Sequence, residues 1–226
     1  MRPIQNAGGH VGLIARSYPI AYNTAISSGQ VVKLSAGKVV SAVAAETSPI
    51  LGIAAENHPG VPDALNYRAN GPEILVYDSP ELIFECMAPV ITAASGSATT
   101  IVPAEGDVAA AAANDAFNDS VLMLISKAEG STNTDLIGKK IPVTDYTASG
   151  TVIAKASGGA PSAGDRYEVY PKLGAAVGGI ASLDASGFSR LVLTAKGAAK
   201  IKCVGHDYER GMVRLMAVEH TLGSEE

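Results

Sequence analysis

The side chains best suited to chemistry in this chain are four histidines, two cysteines and a scatter of carboxylates, and their spacing decides what they can do. His10, His58, His206 and His220 show no zinc-type or metalloprotease spacing, and each has at most one acidic neighbour within reach along the chain. The densest cluster is "GHDYE", where His206, Asp207 and Glu209 would supply a general base and its acidic partner if they converged. The flanking apolar runs favour a turn between two strands there. Glu56 and His58 in "AENHPG" form a second acid–base candidate, but the following Pro-Gly marks a loop. "GFSRL" lacks the second glycine of a nucleophile elbow, and "GSTNTDLIGKK" has too long a gap between its glycines, and Lys140 where a phosphate loop needs a hydroxyl. Asp115 and Asp119 lack the alternate-position ligands of a calcium loop. "NDS" at Asn118 is a sequon that matters only in a secreted protein. The residues therefore imply no catalytic centre, no metal and no cofactor.

Cys86 and Cys203 lie far apart without the paired spacing of a zinc or redox motif, so two free thiols are expected. Cys86 shares an apolar strand face with Phe84, which suits a small core residue better than a nucleophile. The chain has 226 residues, of which 17% are charged, with a formal net charge of −5 and no basic run longer than Lys139-Lys140. That charge pattern carries no electrostatic footprint for nucleic acid. The start "MRPIQNAGGH" lacks the charged and then apolar regions of a secretory signal, and no run of about 18 apolar residues would cross a bilayer. The sequence reads as a soluble protein made in a cytoplasm, with no membrane partner.

The elements that must position these groups are strands. The hydrophobic fraction of 47% comes largely from Ala and Val, with no Trp and three Phe, which suits thin sheet layers. At this length folding buries roughly 70% of the extended chain's surface, so no staple is needed. "ELIFECMA" alternates, with Leu82, Phe84 and Cys86 on one face and Glu81, Ile83, Glu85 and Met87 on the other. "EILVYD", "RYEVY", "LVLTA", "AKIKCV" and "MVRLMAVEH" read the same way, the last with Val213, Leu215 and Ala217 opposite Arg214 and Met216. "QVVKLS" and "KVVSAVAA" flank Ala36-Gly37 as a hairpin. Short strands at intervals of about ten residues predict a mainly β fold, an antiparallel barrel or sandwich with at most one or two short helices. One helix candidate is "EGDVAAAAANDAFND", residues 105–119, with a run of five alanines.

Residues 1–24 stand apart. Two prolines, a Gly pair and unpatterned apolar residues predict an extended N-terminal arm, which would need a partner surface for its apolar side chains. The arm would dock on its own body or on a neighbouring subunit, with Ile4, Val11, Leu13, Ile14, Tyr18 and Tyr22 as the candidate contacts. Residues 25–226 form the β-rich body. Whether the body is one unit or two β subdomains joined near 93–119 stays open at this level, because "AASGSATTIVPAEG" suits either a surface loop or a junction.

The order "I-x-x-G-Q-V-V-K-L-x-x-G-K-V-V", then "ILGIAA", then "NGPEILVYDSPELIFECMA", resembles the decoration or cement proteins of tailed-bacteriophage heads. "AAKIKCVGHDYERGMVRLMAVEH" is similar to the terminal hairpin of phage head proteins, a hydrophobic strand followed by His, here His220. The resemblance covers residues 25–90 and 165–220; the middle, about 92–160, departs from the pattern. It implies a structural protein that binds the outer capsid surface of the virion and bridges major capsid protein subunits, as a homotrimer. Two other classes compete with it. One is a head-fibre or host-surface, carbohydrate-binding β module, for which exposed tyrosines among Tyr18, Tyr22, Tyr67, Tyr77, Tyr146, Tyr167, Tyr170 and Tyr208 would argue. The other is a hydrolase using His206 with Asp207.

Overall fold

In the computed structural model the chain is mainly β, built from antiparallel sheets. The residues described are 2–6, 13–42, 48–62, 71–104, 117–132, 136–147, 152–155, 159–174, 176–177, 180–183, 189–191 and 201–217. Among them there is no α-helix. The helix expected over 105–119 lies outside them up to residue 116, and Phe117–Asp119 form a turn that drives the Phe117 ring fully into the core.

The first sheet orders β2 (Ala15–Pro19), β8 (Glu73–Tyr77), β6 (Gly52–Ala54), β4 (Val31–Ser35) and β5 (Lys38–Ser41), all antiparallel. Ile20, just after β2, bridges Val39 of β5, so the sheet curls back toward its own first strand. Its concave side encloses a small core of Ile20, Ile26, Val32, Val39, Leu51, Ala54, Ile74 and Val76. The β4–β5 hairpin forms at the expected place. Ala36 (φ 49°) and Gly37 (φ 75°) both take the left-handed conformation that a two-residue hairpin turn matched to strand twist requires. A two-stranded clip, β3 (Ala25–Ile26) with β7 (His58–Pro59), ties the flanking loops.

The second unit is a closed six-stranded barrel. Its wall runs β10 (Val90–Ser97), β11 (Thr100–Pro103), β14 (Val152–Lys155), β13 (Lys140–Thr147), β12 (Val121–Ser126) and β15 (Arg166–Tyr170), which returns to β10. Residues 93–103, the start of the stretch weighed as a junction, are therefore barrel wall; the alternation of Ile101 and Pro103 with half-buried neighbours was hidden by small polar residues. The interior is filled by Ile91, Ile101, Leu122, Leu124, Val169 and Tyr167, with Phe117 edge-on to Tyr146 at 4.6 Å between centroids.

The third unit is a seven-stranded sheet in the order β16 (Ala176–Val177), β19 (Ile201–Asp207), β20 (Met212–Ala217), β9 (Leu82–Met87), β18 (Ser189–Leu191) and β17 (Ile180–Leu183), with β1 (Arg2–Asn6) beside β9. As the alternation predicts, Leu82, Phe84, Cys86, Val213 and Leu215 face one core, shared with the barrel. The sheet joins the two ends of the chain to its middle.

Within residues 1–24 the described strands, β1 and β2, are not a free arm but members of this chain's own sheets. β1 pairs with β9 from Arg2 opposite Glu85 to Asn6 opposite Leu82, and β2 pairs with β8 throughout its length. An exposed strand edge leaves backbone N–H and C=O groups without partners, and an extended apolar segment is well shaped to supply them.

Candidate functional site

Among the described residues, ionisable and nucleophilic side chains meet most densely at the β19–β20 hairpin, on its two opposite faces. A bulge makes this possible. Cys203 pairs with Leu215, but Gly205 pairs with Arg214, so residue 204 is extra and the alternation slips by one. Strict alternation would place His206 opposite Cys203; after the slip both point toward the barrel.

On that inner side, the His206 Nε2 lies 2.7 Å from the Pro171 carbonyl oxygen and its Nδ1 3.0 Å from the Tyr208 hydroxyl. A carbonyl only accepts, so Nε2 carries the proton and Nδ1 accepts from Tyr208. The Cys203 Sγ is 3.3 Å from Nε2 and thus faces an N–H, not a lone pair; the thiol's own acceptor is the Gly205 carbonyl at 3.7 Å. Burial pushes the Cys203 thiol up to about 11, and burial with the nearby Lys140 charge holds His206 below its ordinary 6.5, against the opposing pull of the Pro171 carbonyl. The pair is a neutral thiol beside a neutral imidazole, the reverse of an activated nucleophile. Around it Tyr170 packs against both His206 and Tyr208, its hydroxyl donating to Glu168 at 2.5 Å, and the Lys140 ammonium sits 3.6 Å above the Tyr208 ring. These contacts tie β19 to barrel strands β13 and β15.

On the outer face, Glu85 of β9 is 2% exposed although the alternation placed it toward solvent. It does lie on that side, but Arg214 Nε donates to Oε1 and Arg210 NH1 to Oε2, both at 3.3 Å, and cover it. The Arg214 stem passes over Gly205, where a Cβ would come within 3.3 Å of its Cδ. Asp207 binds the same arginines, at 3.5 Å to Arg210 and 3.8 Å to Arg214. The hydrolase pairing of His206 with Asp207 is thus not assembled: the two lie on opposite faces, each held by other groups. "GHDYE" is the end of β19 and the following turn, closed by Asp207 accepting from the Arg210 N–H.

The remaining candidates are equally engaged. Glu56 accepts from the Leu75 N–H, and His58 Nδ1 lies 3.0 Å from the Thr24 carbonyl, so they pin separate loops. Cys86 and Cys203 are free and buried, and burial raises Cys86 to about 12. Asp165, which sequence reasoning did not single out, is fully buried and accepts from the Ala128 N–H, the Ser162 N–H and the Ser131 hydroxyl, closing one end of the barrel. Asp78 accepts from Arg16 at 3.2 Å and from the Tyr18 hydroxyl, whose pKa rises to about 12 through burial and this acceptor. Ser162 is a local partner of Asp165; the other partners come from distant parts of the chain, which nothing local in the sequence marks. Among the described residues no group of three or more His, Cys, Asp or Glu is placed to hold a metal ion.

Of the six contact candidates, Leu13 packs against the larger core and Tyr18 against the smaller one. Ile14 is 70% exposed, Tyr22 is half-buried, and Ile4 lies in β1 with its side chain outside the described set, as Val11 is altogether. His10, His220 and Tyr67 are also outside it. The chain matches no protein-family model, no curated protein and no solved structure.

Proposed function

We propose that this protein is a capsid decoration protein of a tailed bacteriophage, binding the outer surface of the head and bridging major capsid protein subunits as a homotrimer. One observation carries the reading. The first part of the stretch on which the resemblance rests, from "ISSGQVVKLSAGKVV" through "ILGIAA" to "EILVYD", folds together with β2 as a single curled sheet with its own core. The last part of the stretch, "ELIFECMA", forms β9 of the seven-stranded sheet. The curled sheet is a structural unit and not a chance string of strand-forming residues. Gly52 within it is required by contact: a Cβ there would lie 1.9 Å from the Tyr77 carbonyl oxygen.

A cement protein needs rigid sheets, tolerance of crowding and an apolar contact surface; it turns nothing over, and its stabilisation of the shell follows mass action. The seam around His206 and the cover over Glu85 spend their polar groups on holding strands of this chain together. Ile14, just before β2, and Leu75, on the neighbouring strand β8, are exposed large apolar residues. The glycan-binding alternative asks for exposed tyrosines, and every described tyrosine is buried or half-buried.

The test is co-sedimentation of the full chain with heads that lack it. Deleting residues 1–24 would remove β1 and β2 from their own sheets, so the better probe is Ile14→Glu, which alters an exposed side chain. Wild type is expected to pellet with heads and the variant to need at least about tenfold more protein, with its melting temperature unchanged. Wild-type protein that stays in the supernatant at every ratio overturns the reading.

A further inference from the structure

We propose that β1 is exchanged between copies of this chain, each protomer laying its Arg2–Asn6 strand along the β9 edge of the next. Among the described strands β1 pairs with β9 alone; its neighbour in sequence, β2, is in a different sheet. β9 is a central strand whose other edge is filled by β20. On the β1 side, β18 meets β9 at Met87, and residues Leu82 to Glu85 are paired by β1 alone among the described strands. The edge is therefore complete only when an Arg2–Asn6 strand lies on it, and backbone pairing is indifferent to which copy supplies that strand.

Two features make the strand transferable. Its ladder is interrupted by a register shift between Pro3 and Gln5, and Pro3 has no N–H to donate, so fewer bonds hold it than its length suggests. Between β1 and β2 the sequence reads "AGGHVGLI", with three glycines in eight residues. Glycine gives the backbone its widest freedom. Leu13 packs on the larger core, so six residues, 7–12, make the connection, and a six-residue chain spans up to about 20 Å when extended. Donor strand and acceptor edge are different surfaces, so the contact is heterologous and closes into a ring when the rotation permits, as in a trimer. Closure within one chain competes through its high effective concentration, so exchange grows as copies are crowded together. The inference does not depend on capsid binding.

The experiment places cysteines at Gln5 and Ile83, whose Cα atoms are paired in the β1–β9 register. Directly opposed antiparallel positions lie within disulfide range. The full-length Gln5→Cys/Ile83→Cys protein is folded at low and high concentration, oxidised, and run on non-reducing gels beside wild type, whose two cysteines are buried. Covalent dimers and trimers that increase with concentration and vanish on reduction are expected. A cross-link that stays within single chains at all concentrations overturns the proposal. Should the double variant not fold, light-scattering mass of wild type against a chain lacking residues 1–6 decides it. A multimeric wild type and a monomeric truncation support exchange; wild type monomeric at every concentration, or a truncation of the same mass as wild type, refutes it.

Discussion

His206 shows how a residue chosen for its chemistry ends as a structural tie. Its ring is fixed by an acceptor on one side and a donor on the other, in the Nε2–H tautomer, and Lys140 stands close enough to oppose a positive charge. Because its folded pKa is below the unfolded value of 6.5, the unfolded chain binds more protons in this range and stability rises with pH. The contribution is present above about pH 6.5 and is lost as pH falls through the folded pKa. Wild type is expected to lose stability on acidification below that point, with His206 supplying a slope of at most about 1.4 kcal/mol per pH unit. His206→Gln keeps a donor for Pro171 and removes the titration. Urea unfolding at a series of pH values should show a flatter profile for the variant; parallel profiles would mean that His206 is not the group that senses pH. The same burial that silences His206 silences Cys203 and Cys86, and both thiols should resist alkylation at pH 8 until the protein is unfolded, as read by mass spectrometry.

At the scale of elements, a strand glycine and a turn alanine respond to substitution in opposite directions. Gly52 approaches the Tyr77 carbonyl so closely that a methyl group must push β6 away from β8, and the obstacle is backbone that cannot swing aside. Gly52→Ala should cost about 3 kcal/mol or more, or prevent folding. Ala36 is the reverse case: it holds a left-handed φ of 49° in the β4–β5 hairpin, a conformation that costs an L side chain about 1 kcal/mol relative to glycine. Ala36→Gly should leave stability level or raise it by up to about 1 kcal/mol, despite the greater entropy of the unfolded chain. Thermal melts of the two variants beside wild type would settle both. The turn at Ala36-Gly37 was visible in the sequence, whereas Gly52 was not marked. The direction of neither effect was legible, because it depends on the facing strand at Gly52 and on the dihedral at Ala36.

At the scale of the whole molecule, the described residues form two cores, and these share a wall. On β4, Val32 faces the small core and Val31 the large one; on β6, Ala54 and Ile53 divide in the same way. A sheet buried on both sides cannot lose one face without disturbing the other. Calorimetry is therefore expected to give one transition, moved to lower temperature by either Val32→Ala in the small core or Leu215→Ala in the large one, the second by about 2–4 kcal/mol. Two resolved peaks, only one of which responds to Val32→Ala, would show the first sheet to be an independent domain.

The sequence by itself determined the class and the grain of this fold: mainly antiparallel strands, the faces of β9 and β20, the hairpin at Ala36-Gly37, and the Cys86 thiol turned inward. These are legible because the strand period of two is written in consecutive residues. Only the tertiary structure decided the partners. The β-bulge beside Gly205 moved His206 to the face of Cys203 and parted it from Asp207; Arg210 and Arg214 buried Glu85; and the first residues became strands β1 and β2 in two different sheets. Each of these joins residues far apart in the chain or depends on one slipped register, and local alternation carries no record of which strand will lie alongside.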